Sequence, residues 1–210
     1  MKISEREVAE LAVGVYGAMQ KPAELAALLR CLDEELIVTS LEIGLGKGGT
    51  SWGLSKLNHL SHMIAIDLPA GPWSGSSPED AAKVEESLKV IAKRISDMSG
   101  VKYDLAFGSS MNSQALEAVK GTLGEKKLDL LFIDGDHSYA GVKTDFLTYS
   151  PLVRSGGFIV FHDICAHPPE TGCEVEKFWK ELKEGLKKEK FVEIITEPIT
   201  WGGIGVIEVE

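Results

Sequence analysis

The sequence predicts an α/β fold: a doubly wound, mainly parallel sheet preceded by N-terminal helices. Three observations carry this expectation. From residue 36 onward, short runs of Leu, Ile, Val and Phe alternate with amphipathic helical stretches, the order that gives strands joined by helical crossovers. Several runs are almost continuously apolar, as strands covered on both faces are. The first run leads directly into the glycine-rich turn Gly44-Leu45-Gly46-Lys47-Gly48-Gly49, where the backbone bends tightly and a ligand can come close.

Composition narrows the function classes. The chain has 210 residues, 44% hydrophobic and 26% charged, enough to bury a core without disulfides or a structural metal. Disordered, collagen-like and disulfide-scaffold chains are excluded. Lys and Arg number 22 against 32 Asp and Glu, a formal net charge of −10. That argues against nucleic-acid binding through a basic surface and for a small-molecule substrate. Cys31, Cys165 and Cys173 are too few and too unevenly spaced for a disulfide framework and point to a reducing compartment. No apolar run approaches the ~18 residues that span a membrane. The acidic N-terminus lacks the form of a secretory signal. A cytoplasmic protein without a membrane partner is expected.

Residues 1–35 form a helical cap ahead of the main domain, 36–210. Ser4-Glu5-Arg6-Glu7 is a capping box. Val8, Leu11, Ala12, Val15, Tyr16 and Met19 then recur at helical spacing. Pro22 suits the first turn of a second helix carrying Leu25, Leu28, Leu29 and Leu32. These stripes suit helices that cover a sheet edge; a substrate lid or a homodimer contact are the other roles open to them. Cys31 is expected to be a buried apolar residue.

The strands are expected at 36–43, 63–66, 103–107, 128–133 and 158–161. Between them, Ser77-Pro78-Glu79-Asp80 opens a helix with a cap, a proline at its first position and acids at its positive end. Its inward stripe is Ala81, Val84, Leu88, Ile91, Ile95 and Met98. A shorter helix near 112–120 ends at Gly121, and Ser138 caps another with Val142, Phe146 and Tyr149 inward. Glu174–Lys190 reads as an amphipathic helix with Val175, Phe178, Trp179, Leu182 and Leu186 facing in. Strands at 191–196 and 204–209 close the chain as an antiparallel hairpin.

Acids and histidines gather at strand ends. Glu42 ends the first run and Asp67 the second, where a carboxylate can accept ribose hydroxyls. Glu42 just before the glycines would repel a diphosphate and suits a cationic or hydroxyl-bearing ligand. Asp134, Asp136 and His137 end the fourth run, and His162 and Asp163 the fifth. In a doubly wound sheet these ends share one rim, and crowded carboxylates there call for a cation or substrate. The spacing of His162, Cys165, His167 and Cys173 superficially suits zinc, but it lacks a paired Cys-x2-Cys knuckle. The Gly-, Ser- and Pro-rich stretch 68–77 reads as a flap or an ordinary surface loop, with Trp73 able to cover a ligand.

Together, LEIGLGKGGTS, IAID, LLFIDGDHSYAGVKTDF, SPLVRSGGFIVFHDI and GCEVEKFW resemble a class I S-adenosylmethionine-dependent methyltransferase. Within that class they resemble the branch of cephalosporin-hydroxylase-like proteins and macrolide or rhamnosyl sugar O-methyltransferases. The likeness spans about 36 to 209. It implies a seven-stranded Rossmann-like sheet with an antiparallel last strand. It implies that Glu42, Gly44 and Gly46 hold the methionine end of S-adenosylmethionine, Asp67 its ribose, and Gly108 and Ser109 its adenine. In metal-dependent relatives the positions of Asp134, His162 and Asp163 bind magnesium, and in the sugar-methylating relatives that of His137 supplies the base. One departure stands out: His162 replaces what is usually a carboxylate, and imidazole is a poor magnesium ligand. A softer divalent cation, substitution by Asp136, or a catalytic His162 without metal are the alternatives. The function implied is methyl transfer to a small-molecule hydroxyl. The rivals are an NAD(P)-dependent oxidoreductase, whose G-x-G-x-x-G pattern these glycines fit poorly, and a non-catalytic nucleoside-cofactor-binding protein.

Overall fold

The computed structural model describes residues 3–70, 76–186 and 188–210. Two helices, α1 (Glu5–Gly14) and α2 (Pro22–Asp33), precede the sheet. Then follow β1 (Thr39–Ile43), α3 (Gly49–Leu54), β2 (His62–Asp67), α4 (Ala81–Ser99), β3 (Lys102–Phe107), α5 (Ser113–Leu123) and β4 (Leu128–Ile133). The chain ends with α6 (Tyr139–Tyr149), β5 (Val153–His162), α7 (Val175–Gly185), β6 (Lys190–Ile194) and β7 (Ile204–Glu208). Strand order is β3-β2-β1-β4-β5-β7-β6. Only β7 runs antiparallel to its neighbours β5 and β6. The expected doubly wound sheet of seven strands is therefore present.

Both faces of the sheet are covered, which explains the unbroken apolar runs. On one face Val8, Ala12, Leu25, Leu29 and Leu32 of α1 and α2 pack with Phe132, Val160 and Val206. On the other, Val119, Val142, Phe178 and Trp179 of α5, α6 and α7 pack with Leu131, Ile159 and Phe161. All five β1 residues are buried between β2 and β4. The connections leave β1 and β4 to opposite faces, so a crevice opens beyond their carboxyl ends.

The structure differs from expectation at several boundaries. Helix α1 stops at Gly14, because the amide of Ala18 turns back to the carbonyl of Ala12. Leu11, Val15 and Met19 are exposed, so the apolar stripe is shorter than its spacing suggests. Cys31 is exposed rather than buried, on the outer side of α2. Strand β1 starts at Thr39, since the Val38 and Thr39 amides donate to Asp129. Strand β5 starts five residues early, at Val153, with Arg154 paired to the same Asp129 at 2.6 Å. Ser77 makes no backbone cap; Pro78–Asp80 is a 3-10 turn leading into α4, and Met98 is half exposed. Helix α5 runs past Gly121 to Leu123. Helix α7 ends at Gly185, so Lys190 begins a strand instead of ending a helix.

Candidate active site

The turn after β1 is built around a glycine that no other residue could replace. Gly44 has φ +91°, and a side chain there would run into the carbonyl of Asp134 after β4. Its amide donates to Ile66 O, and the Asp134 amide donates to Ile43 O, each at 2.9 Å. The ends of β1, β2 and β4 are thereby tied together. Asp67 receives the Leu45 and Gly46 amides on Oδ2 at 2.8 and 3.0 Å. Burial pushes its carboxyl up, and these two amides pull it back. Gly108, after β3, donates to Asp67 O at 2.9 Å.

These segments wall one cleft of about 1210 Å³, ample for a nucleoside-sized ligand and a second small molecule. Gly44, Gly46, Asp67, Gly108, Ser109, Asp134, His137, His162 and Asp163 all line it. Among the residues expected at the site, Glu42 stands apart. It is buried beneath the turn and accepts from Ser51, which also contacts the Tyr103 hydroxyl. Its Oε1 has no hydrogen-bond partner among the described residues. Burial pushes this carboxyl up to about 8; Ser51 opposes that, while Asp134 and Asp67 add to it. Glu42 supports the turn from behind and does not form its wall.

Across the cleft, two carboxylates and two imidazoles interlock. His162 Nδ1 lies 3.2 Å from Asp134 Oδ1 and 3.4 Å from Asp163 Oδ2. His137 reaches the same two oxygens, Nε2 at 3.3 Å and Nδ1 at 3.1 Å. Burial works against charge on both rings, but the carboxylates outweigh it and hold them protonated well above the ordinary histidine range. The rings in turn hold Asp134 and Asp163 low. Asp163 has φ +62° although it is not glycine, a conformation that costs roughly 1–3 kcal/mol and turns its carboxylate back into the cleft. Asp134, His162 and Asp163 form one grouping able to hold a metal ion; His137, Asp163 and Cys173 form another. Ligand atoms about 2.1 Å from an ion at near-right angles sit about 3 Å apart, so the first grouping has the required spacing. Asp136 stands outside it: its Oδ1 accepts the Ser138 amide at 2.9 Å, at the start of α6.

Sequence reasoning missed the opposite wall. Gln20, between α1 and α2, is almost fully buried. Its Nε2 donates to Asp134 Oδ2 at 2.8 Å, and Thr50 Oγ1 donates to its Oε1 at 2.6 Å. No spacing in the sequence signals a contact across 114 residues. His167 joins as well, with Nε2 3.1 Å from Asp163 Oδ1. Its Nδ1 faces Cys165 O at 2.9 Å, so the zinc-like spacing of His162, Cys165, His167 and Cys173 does not assemble as one ligand set among the described residues. Trp201, on the β6–β7 loop, lines the cleft beneath the Lys21 ammonium, 5.0 Å from its ring centre. That loop is pinned to α2, where Glu24 receives the Thr196 and Gly203 amides, both at 2.9 Å. The suggested Trp73 flap lies outside the described residues.

Comparison with known proteins agrees with this layout. Residues 41–164 match the family described as "Methyltransferase domain". An uncharacterized protein of Acanthamoeba polyphaga mimivirus is 30% identical over 167 residues, which cover 75% of this chain and 66% of that protein. The fold superposes on an O-methyltransferase from Bacillus cereus solved with SAH, with TM-score 0.60 and 15% identity over 97% of this chain and 90% of that one. It also superposes on the O-methyltransferase TomG of Streptomyces achromogenes, solved with SAM, with TM-score 0.60 and 17% identity over 100% and 92% of the two chains. For the MycE methyltransferase of the mycinamycin pathway, solved with Mg, SAH and mycinamycin VI, the TM-score is 0.64 at 16% identity, over 99% of this chain and 54% of that one. A glycine turn at the end of β1, an acid at the end of β2 and a matching family block over the whole parallel core lead to one conclusion: this chain belongs to the methyltransferase domain family and has the class I S-adenosylmethionine-dependent methyltransferase fold.

Proposed function

We propose that the protein transfers a methyl group from S-adenosylmethionine to a hydroxyl of a small-molecule acceptor, in the cytoplasm. One observation carries this reading: a glycine turn, an acid at the end of β2 and an acid–histidine cluster share a single cleft. The bound donor supplies a methyl carbon already made electrophilic by its sulfonium. The chain's tasks are then to align an oxygen with that carbon and to remove its proton.

Gly44 and Gly46 let the methionine end approach the backbone, with Glu42 bracing the turn from behind. Asp67 receives the ribose, and Gly108 and Ser109 flank the adenine. Asp134, His162 and Asp163 would hold a divalent cation, which would supply Lewis acidity to the acceptor oxygen when bound. His137 lines the same cleft and takes the hydroxyl proton. Both of its ring nitrogens now contact carboxylates that hold it protonated, so it can serve as base only after giving up a proton together with one of these contacts.

Titration calorimetry with S-adenosylmethionine, S-adenosylhomocysteine and NAD is the first test, followed by methyl-label transfer to a panel of sugar, phenol and polyketide hydroxyls. Binding of both adenosyl ligands with label in an acceptor is the expected result. Competition by NAD at equal strength would favour an oxidoreductase. Tight donor binding with no transfer across the panel would leave a cofactor-binding protein.

A further inference from the structure

We propose that the cation site selects a divalent transition ion of the manganese-to-zinc series over magnesium, an inference that rests on the cation-assisted reading above. The argument is one of donors and of what surrounds them. His162 ends β5 and is paired with Ile204 of β7; it is 3% exposed. Its ring therefore has little room to swing away. Nδ1 sits 3.2 and 3.4 Å from the two carboxylate oxygens, so an ion held by Asp134 and Asp163 would meet an imidazole nitrogen where magnesium would keep a water or take an oxygen. Magnesium requires oxygen ligands in near-ideal octahedral geometry and gives up its waters reluctantly. Imidazole beside carboxylate suits zinc, iron, cobalt and, less strongly, manganese.

The nearby oxygens offer magnesium no substitute. Asp136 holds the Ser138 amide. Gln20 presents its amide nitrogen to Asp134, while its carbonyl oxygen is held by Thr50. The remaining groups around the carboxylates are two further imidazoles, His137 at 3.1 and 3.3 Å and His167 at 3.1 Å. Two carboxylates would balance the charge of a divalent ion, and the protein donors left to complete its shell are imidazole nitrogens, which release their protons on binding it.

The test uses the full chain, stripped with chelator and titrated separately with Mn2+, Co2+, Zn2+ and Mg2+ by calorimetry. Wild type is expected to bind Co2+ and Zn2+ at least about a hundredfold more tightly than Mg2+. His162→Asp supplies the all-oxygen reference and is expected to cut that preference about tenfold or more. Circular dichroism melting checks that the variant folds. If it does not, proton NMR of Co2+-loaded wild type decides: a strongly shifted, exchangeable imidazole N–H is expected. Magnesium binding within about tenfold of Co2+, an unchanged preference in His162→Asp, or no shifted imidazole N–H overturns the inference. Tight magnesium binding would leave the cation-assisted reading standing. Failure of wild type to bind any ion would remove both.

Discussion

Replacing Glu42 with glutamine removes a buried acid whose charged form the fold tolerates poorly. Burial lifts this carboxyl from the ordinary 4.5 to about 8. An acid raised in the folded state contributes stability that is full below its unfolded value and is lost as pH climbs through the folded one. The window therefore runs from about pH 4.5 to pH 8. Integrated between pH 5 and pH 9, the loss is on the order of 4 kcal/mol for wild type and absent for the variant. For a chain of this size, each kcal/mol moves the midpoint by about 2–4 °C. Glutamine can still accept from Ser51, but its amide hydrogens need a partner beneath the turn, a fixed penalty of about 1–3 kcal/mol that does not vary with pH. The informative quantity is the change in the wild-type-to-variant difference, measured by urea unfolding at pH 5, 7 and 9. The variant should gain on wild type steadily across that range. A difference that stays flat would mean that Glu42 is already charged and well partnered at pH 5, and the assignment of a strained buried acid beneath the turn would fall.

The other expectations concern the cleft directly. Gln20→Met keeps the side chain's bulk but removes both its hydrogen bonds, and cation affinity should fall about 10–100-fold while S-adenosylmethionine affinity is kept, both by calorimetry. Asp67→Ala frees two turn amides and removes the proposed ribose acceptor; donor binding should weaken by about 1–3 kcal/mol, read as a 5- to 150-fold rise in Kd. Gly44→Ala forces a side chain into the Asp134 carbonyl at a left-handed backbone position, so its thermal midpoint should drop by about 10 °C or more, or the variant should not fold. His137→Ala should lower turnover about 10²–10⁴-fold with donor affinity intact, and unchanged turnover would clear His137 of the base role.

The parallel core was legible because strand ends carry both the apolar pattern and the chemistry. Leu128–Ile133 and its sequel Asp134-Gly135-Asp136-His137 could be read together, since a strand enclosed on both faces is uniformly apolar until it meets the cleft. Elements ending in charged or glycine-rich residues were harder. The start of β5, Arg154-Ser155-Gly156-Gly157, does not look like a strand, yet Arg154 is satisfied by Asp129 and the backbone stays in the sheet. The end of α7 misled because Lys188-Glu189-Lys190 continues a helical charge pattern while the backbone has already turned toward β6. Glu42 was expected in the cleft because it precedes the glycines, but strand alternation aims it at Ser51 and Tyr103 instead. Gln20 and Trp201 could not be read at all, and His167 only as part of a zinc-like spacing: each reaches the cleft through tertiary contacts that leave no local period.

The block shared with the family, residues 41–164, provides the glycine turn, Asp67, Gly108 and the cluster of Asp134, His137, His162 and Asp163. Met19, Gln20, His167 and Trp201 all lie outside it, yet they line the same cleft. The cleft thus has one wall inside the family block and another wall outside it. Redesign aimed at a new acceptor has a natural place to start: grafting residues 15–19 and 195–203 from a cousin, with Gln20 kept for its bond to Asp134, would exchange the opposite side of the cavity.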